Sequence, residues 1–333
     1  MVILCLRISI FCQYSLECPA KDKQGSGNGL IYNWVNSKIF RHIREVSVST
    51  VDNALYSPHS ELALGMIVGL DLFDHLPIFS QVLRNTGTIH VVVVSGYNIN
   101  LVFNLIIKLV GSPYKKRNIL IASFMTLGYS LLSGFEPPVI RAWIMGFILI
   151  FIKYYGLRAN ALYILLFAAI LIIIISPSFL FNLSFQLSFL ATLSLIYFSE
   201  DVKTLITRFI KYESSILDDL YSSLSVQVIL WPFLSYKFGL INPLSPFINC
   251  LILWTVPIST ILGGLFLIIG LIWQPLGVLL FRSLYIPLDI FVTLTEFFDK
   301  IPTKLLLKIP LGIVIIYYIF ISLYLLRRSR HFL

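Results

Sequence analysis

The chain has 333 residues, of which 58% are hydrophobic and 12% charged, with a mean hydropathy of +0.88, and this composition excludes a soluble globular enzyme in favour of an all-α polytopic membrane protein. A net charge of +9 raises nucleic acid as a partner, but basic residues in short loops between apolar runs are first explained by membrane topology. The four cysteines, Cys5, Cys12, Cys18 and Cys250, form no CxxC or His-Cys pattern, so neither a zinc site nor a disulfide framework is expected.

Residues 1–18 are apolar but short and carry Arg7 in mid-run, which suits an uncleaved anchor or a remnant better than a signal peptide. Residues 19–60 form the only substantial polar stretch, opening with the loop-like KDKQGSGNG, and together residues 1–60 are read as an N-terminal anchor and outer segment. The segment ELALGMIVGLDL, 61–72, is too short to span and reads as interfacial or re-entrant.

Apolar runs long enough to cross the hydrocarbon, some short or tilted, then follow at 88–111, 118–134, 138–152, 160–176, 179–199, 218–236, 244–272, 275–298 and 309–326. About eight to ten transmembrane or re-entrant helices are therefore expected within residues 61–326, ahead of a basic tail at 327–333. Pro257 divides the 244–272 run, giving either one kinked helix or a re-entrant pair. The 275–298 run contains Pro275, Pro287, Arg282, Asp289 and Glu296, and either spans or lies in the interface.

Positive charge orients the first part. Lys115, Lys116 and Arg117, then Lys153 and Arg158, then Lys203, Arg208 and Lys211 occupy alternate loops, which should be cytoplasmic, and this puts residues 19–85 on the outer face. The final RRSR run cannot orient the end, because Lys300, Lys304 and Lys308 balance it across the last helix.

Polar side chains inside these runs are the candidate functional residues, since an unpartnered polar group in hydrocarbon is costly. The first run reads TGTIHVVVVSGYNINL and places Gly87, His90, Ser95, Gly96, Tyr97 and Asn98, followed by Asn100 and Asn104, along one membrane-length segment. His90 lines a channel mouth, sits at the interface, or serves Ser95 as a base; five residues of separation keep the two side chains off a common helical face, so the mouth is favoured. Arg141, just after Pro137 and Pro138, either snorkels and pairs with Glu136 or contacts a passing phosphate. Ser184, Ser188 and Thr192 fall at i, i+4 and i+8 on one stripe, while Asn182 and Gln186 form a second, implying two protein or water neighbours. Tyr and Trp at helix ends read mainly as interfacial anchors, whereas Tyr97 lies inside the polar block.

Four blocks of this chain resemble the ComEC competence proteins, polytopic channels that carry one DNA strand across the bacterial inner membrane in natural transformation. They are TGTIHVVVVSGYNI with Gly87, His90, Ser95 and Gly96; PPVIRAWIM with Arg141 and Ala142; FNLSFQLSFLATLSL with Phe185 to Thr192; and WPFLSYKFGLINPLSPFIN with Phe238, Gly239 and Asn249. Where many members carry a second histidine after Ser-Gly, this chain has Asn98. The resemblance implies a plasma-membrane channel module, without the outer OB-fold domain or the metallo-hydrolase domain, for single-stranded DNA as cargo. It also implies a separate DNA receptor, nuclease and cytosolic motor, no cofactor, no metal and no catalytic role; the oligomeric state stays open. A transporter of a small molecule or lipid is the alternative, supported by broken helices and midplane polar groups. Intramembrane hydrolysis is a third reading, requiring a base within reach of a nucleophile.

Overall fold

A computed structural model describes residues 38–92, 95–111, 115–134, 137–208, 214–302, 305 and 307–330. The expected anchor at 1–18, the KDKQGSGNG loop, Glu136, Lys211 and Lys304 lie outside the described residues. Regular structure among the described residues is helical, apart from one isolated antiparallel bridge between Ile241 and Leu305.

Amphipathic α1 (Lys38–Asp52) packs against the bundle, and its Arg44 Nε and Nη2 donate to the Leu132 carbonyl at 3.1 and 2.7 Å. That carbonyl belongs to the last turn of α6 (Lys116–Leu132), where a cation meets both unsatisfied carbonyls and the negative end of the helix dipole. α2 (His59–Val68) carries the ELALGMIV sequence and is buried at every residue except Glu61. It is therefore a core helix held inside protein, not an interfacial one, and its shortness reflects that it need not span. His59 Nε2 at its start lies 3.1 Å from Asp289 Oδ1, and its ring stacks on Tyr285 at 4.8 Å.

Around α2 sit α3 (Pro77–Thr86), the short α4 (Ile89–Val92), α11 (Ser245–Ile252), α12 (Thr255–Ile272), α13 (Gln274–Phe281) and α14 (Tyr285–Asp299). Leu62, Met66, Leu83, Ile252, Phe281 and Phe291 from these helices form the largest apolar core. Glycines set the closest approaches: a Cβ on Gly277 would lie 3.0 Å from the Gly270 backbone nitrogen, so α12 and α13 pack backbone to backbone as a hairpin. Among the described residues three stretches are long and apolar enough to cross a membrane, Ile89–Val110, Thr255–Ile272 and Gln274–Asp299.

The second group comprises α5 (Gly96–Val110), α6, α7 (Pro137–Tyr154), α8 (Ala161–Ile175), α9 (Leu183–Thr207) and α10 (Ser215–Phe238), each packing on its successor in the chain. Within this group α5 also packs on α7, and α7 on α9; contacts of α5 with α12 and of α10 with α11 join the two groups. The final helix, α15 (Leu311–Arg330), docks on α10. Its docking point follows from covalent chemistry. Pro232 inside α10 has no N–H to give to the Val228 carbonyl, and Tyr317 Oη donates to that carbonyl at 2.8 Å while Tyr318 Oη donates to Ile229 O at 2.8 Å.

Several boundaries differ from the sequence reading. The 88–111 run is interrupted at Ser95, whose backbone is extended (φ −106°, ψ 172°) just before α5. The 244–272 run breaks at Leu253 and Trp254, not at Pro257, because Pro257 occupies the first turn of α12, where a missing N–H costs no helical bond. The 179–199 run becomes a 3-10 turn at Pro177–Phe181 followed by a 25-residue helix that reaches Thr207. The 275–298 run holds a 3-10 turn, Arg282–Leu284, between α13 and α14.

Replacing both Tyr317 and Tyr318 with Phe should lower the unfolding free energy in detergent by about 2 kcal/mol, on the order of 1 kcal/mol per hydrogen bond. Tyr163→Phe, at a site 70% exposed, should leave the denaturation midpoint unchanged.

Candidate functional site

The motif residues come together at three polar junctions inside apolar helices. The first begins with Gly87, which ends α3 at φ +75° and faces Ser245, the first residue of α11. A Cβ at Gly87 would lie 2.9 Å from the Ser245 Cβ, so glycine is needed twice here, for the left-handed turn and for the close approach. One turn into α11, buried Asn249 directs Nδ2 toward Ser245 Oγ at 3.4 Å and Ser223 Oγ on α10 at 3.5 Å. Asn249 Oδ1 accepts no bond among the described residues, which leaves it capacity for a donor from outside the chain.

A second junction lies on α5. Asn98 is fully buried and its Nδ2 donates to the Met66 carbonyl of α2 at 3.3 Å, to which Thr260 Oγ1 of α12 also points at 3.5 Å. Asn98 Oδ1 and the neighbouring Ser259 Oγ are buried without a protein partner among the described residues. Ile99, Val139 and Ala142 fill the apolar layer beside it, between α5 and α7.

The third junction is centred on Arg141. Its Nε donates to Ser188 Oγ at 2.8 Å and its Nη1 to Thr192 Oγ1, so the predicted serine-threonine stripe on α9 meets an arginine of α7. Phe189 presents its ring 5.9 Å from the guanidinium carbon, and Gly96 on α5 supplies the opposite wall, where a Cβ would lie 2.8 Å from Nη2. Among the described residues no carboxylate lies within salt-bridge distance of Arg141, and the Glu136 expected to pair with it is outside them.

Tyr97 projects from the start of α5 and is 46% exposed. It lies within electrostatic reach of Asp219 on α10, and Asp219 is also within reach of Cys250 on α11. Asp219 was missed by the sequence reading; its signal was the acidic pair Asp218-Asp219 in the first turns of a membrane-length helix.

Other expected residues have different places. His90 is on the exposed side of α4, and the Ser95 side chain makes no cap bond to α5. The second predicted stripe does not reach a neighbouring helix: Asn182 caps α9 by accepting from Ser184 N at 2.8 Å, and Gln186 Nε2 donates to Leu180 O at 3.0 Å in the preceding turn. Ser184 of the first stripe is exposed, so that stripe is used only at Ser188 and Thr192. Phe185 packs in an apolar cluster with Ile140 and Ile172, its ring tilted by 36° against that of Phe189 at 4.3 Å between centroids. Phe238 is exposed and Gly239 ends α10 in the left-handed conformation beside Lys308, so the Phe-Gly pair terminates a helix.

A family model described as Competence protein matches residues 77–331, a range that holds all three junctions apart from Met66. ComE operon protein 3 of Bacillus subtilis (strain 168) is 29% identical over 162 residues, covering 46% of this chain and 20% of that protein. An uncharacterized protein of Aquifex aeolicus (strain VF5) is 34% identical over 122 residues, covering 36% of this chain and 29% of that protein. The chain thus aligns with less than a third of either relative. No solved structure matches.

Gly87→Ala should destabilise the protein by roughly 1–3 kcal/mol through left-handed strain and overlap with Ser245. Ser245→Gly in the same chain should recover part of that loss, a non-additivity measurable in a double-mutant cycle of thermal unfolding.

Proposed function

The chain belongs to the Competence protein family, and on that premise we propose that it is a multi-pass protein of the bacterial plasma membrane that passes one strand of DNA inward without reading its base sequence. Membership gives the chain a role in competence and DNA uptake, and its apolar helices make it a membrane protein. The observation that carries the finer reading is the convergence of distant motif residues on three polar junctions within apolar helices: Gly87 with Asn249, Asn98 with Thr260, and Gly96 with Arg141 and Ser188.

Such a lining suits a moving polyanion. Neutral amides and hydroxyls exchange hydrogen bonds with phosphates and bases at small net cost, whereas a ring of fixed cations would hold the strand too tightly to release it. Amide and hydroxyl donors also carry no base-edge code when they meet the backbone, which fits passage independent of sequence. Tyr97, exposed at the edge of this region, offers an aromatic face on which any base can stack.

On this reading about eight to ten helices are transmembrane or re-entrant, the loops with Lys115 to Arg117, Arg158 and Lys203 face the cytoplasm, and His90 stands at the outer mouth. The chain itself does no chemistry. A receptor delivers the DNA, a nuclease supplies the single strand and a cytosolic motor draws it in, each as a separate protein or domain.

The test is uptake of labelled DNA into a DNase-protected compartment. The host is a competent strain whose own channel keeps its other domains but carries residues 77–331 of this chain in place of its competence segment. Uptake should be restored by the parent segment and cut severalfold by Asn98→Leu at equal membrane insertion. Absent uptake from a properly inserted parent segment would remove DNA as the cargo and favour a small-molecule or lipid transporter.

A further inference from the structure

A guanidinium has five N–H donors, and their distribution at Arg141 is unequal. Nε is spent on Ser188 Oγ at 2.8 Å, and Nη1 on Thr192 Oγ1 with the Met145 sulfur 3.9 Å away. Nη2 donates to no acceptor among the described residues. Among the described residues every partner of this cation is neutral: two hydroxyls, a thioether and the face of Phe189. An arginine keeps its charge, so a guanidinium withdrawn from bulk water and offered only dipoles retains an uncompensated positive field.

The wall opposite Nη2 is Gly96. Because a Cβ there would stand 2.8 Å from Nη2, any other residue would cover the unused edge or push the guanidinium aside. Gly96 sits at the first position of α5 with ordinary negative φ, so left-handed geometry does not require glycine at this position. What the missing side chain does is let the start of α5 come against Arg141 and Ala142, whose Cβ would stand 3.4 Å from the same added atom, without a methyl group pressed onto Nη2.

We propose that the Nη2 edge of Arg141, beside Gly96 and aimed by Ser188 and Thr192, is a binding station for one phosphodiester group of the passing strand. This rests on the reading of the chain as a DNA channel and names a substrate-contacting group within it. A phosphate oxygen supplies the negative charge that the site lacks, and the planar fork suits two such oxygens. One contact per strand segment gives a foothold that a motor can break, in contrast to a fixed ring of cations.

The experiment uses the full chain in lipid nanodiscs and a fluorescent single-stranded oligonucleotide, with affinity followed by anisotropy across a salt series. Arg141→Gln should weaken binding at low salt by roughly tenfold or more. It should also flatten the slope of log affinity against log salt by about 0.7, the loss of one single-strand phosphate contact. Gly96→Ala should imitate it by covering the same edge, and Arg141→Lys should keep most of the slope. With an uncharged methylphosphonate oligonucleotide, the difference between parent and Arg141→Gln should vanish.

An Arg141→Gln chain with unchanged affinity and slope would overturn the station while leaving the channel reading standing. The same holds if affinity falls but the slope is kept and the methylphosphonate strand is equally affected, since that pattern belongs to a merely structural arginine. Displacement of the oligonucleotide by low concentrations of inorganic phosphate would assign the edge to a small anion and overturn it as well. Failure of a well-inserted parent chain to bind any oligonucleotide would remove the channel reading and the station together.

Discussion

The structure depends on one constraint: a polar group placed among apolar helices must find a partner there, because the hydrocarbon offers none. This chain meets it by drawing residues far apart in sequence onto shared acceptors. The Met66 carbonyl collects Asn98 and Thr260, the hydroxyls of Ser188 and Thr192 receive Arg141, and the Val228 carbonyl released by Pro232 receives Tyr317. Each bond ties two helices whose apolar faces alone would pack in many registers, so the polar residues set the arrangement and the apolar residues fill it. Glycine is the complement of this device. Gly87, Gly96 and Gly270 stand where a neighbouring helix or side chain comes close enough that no Cβ fits without displacement.

The same arrangement bears on transport. Pairing of polar groups is incomplete where the motif residues meet, at Asn98 Oδ1, Asn249 Oδ1 and the Nη2 of Arg141, and also outside those junctions, at Thr50 Oγ1, Tyr129 Oη, Tyr221 Oη and Gln227 Oε1 among the described residues. Elsewhere, at the contact of α10 with α15 and at the capping of α6 by Arg44, polar groups are spent on holding helices together.

Much of the helix inventory was legible in the sequence because length and apolarity alone determine it; α6, α8, α10 and α15 fall within a few residues of the runs that announced them. The spacing of Ser188 and Thr192 correctly placed both on one face of α9, but spacing could not say that Arg141 would be what they touch, since that is a tertiary fact. The partner of Gln186 was equally illegible from spacing: an amide near a helix start has a nearby carbonyl, here Leu180, that competes with any distant partner. Pro257 misled because a proline marks a break only inside a helix, and in a first turn it is compatible with continuation. Burial of α2 was illegible because a short apolar segment reads alike whether lipid or protein surrounds it.

The central claim is that the seam where the motif blocks meet, and not the outer surface of the bundle, is where the strand travels. The direct measurement is site-specific photo-crosslinking during DNA uptake, with the photoreactive amino acid placed either at Tyr97 beside the seam or at Phe124, 76% exposed on α6. The account predicts a DNA adduct at position 97 and none at 124. An adduct at 124 alone, or equal adducts at both during active uptake, would contradict it.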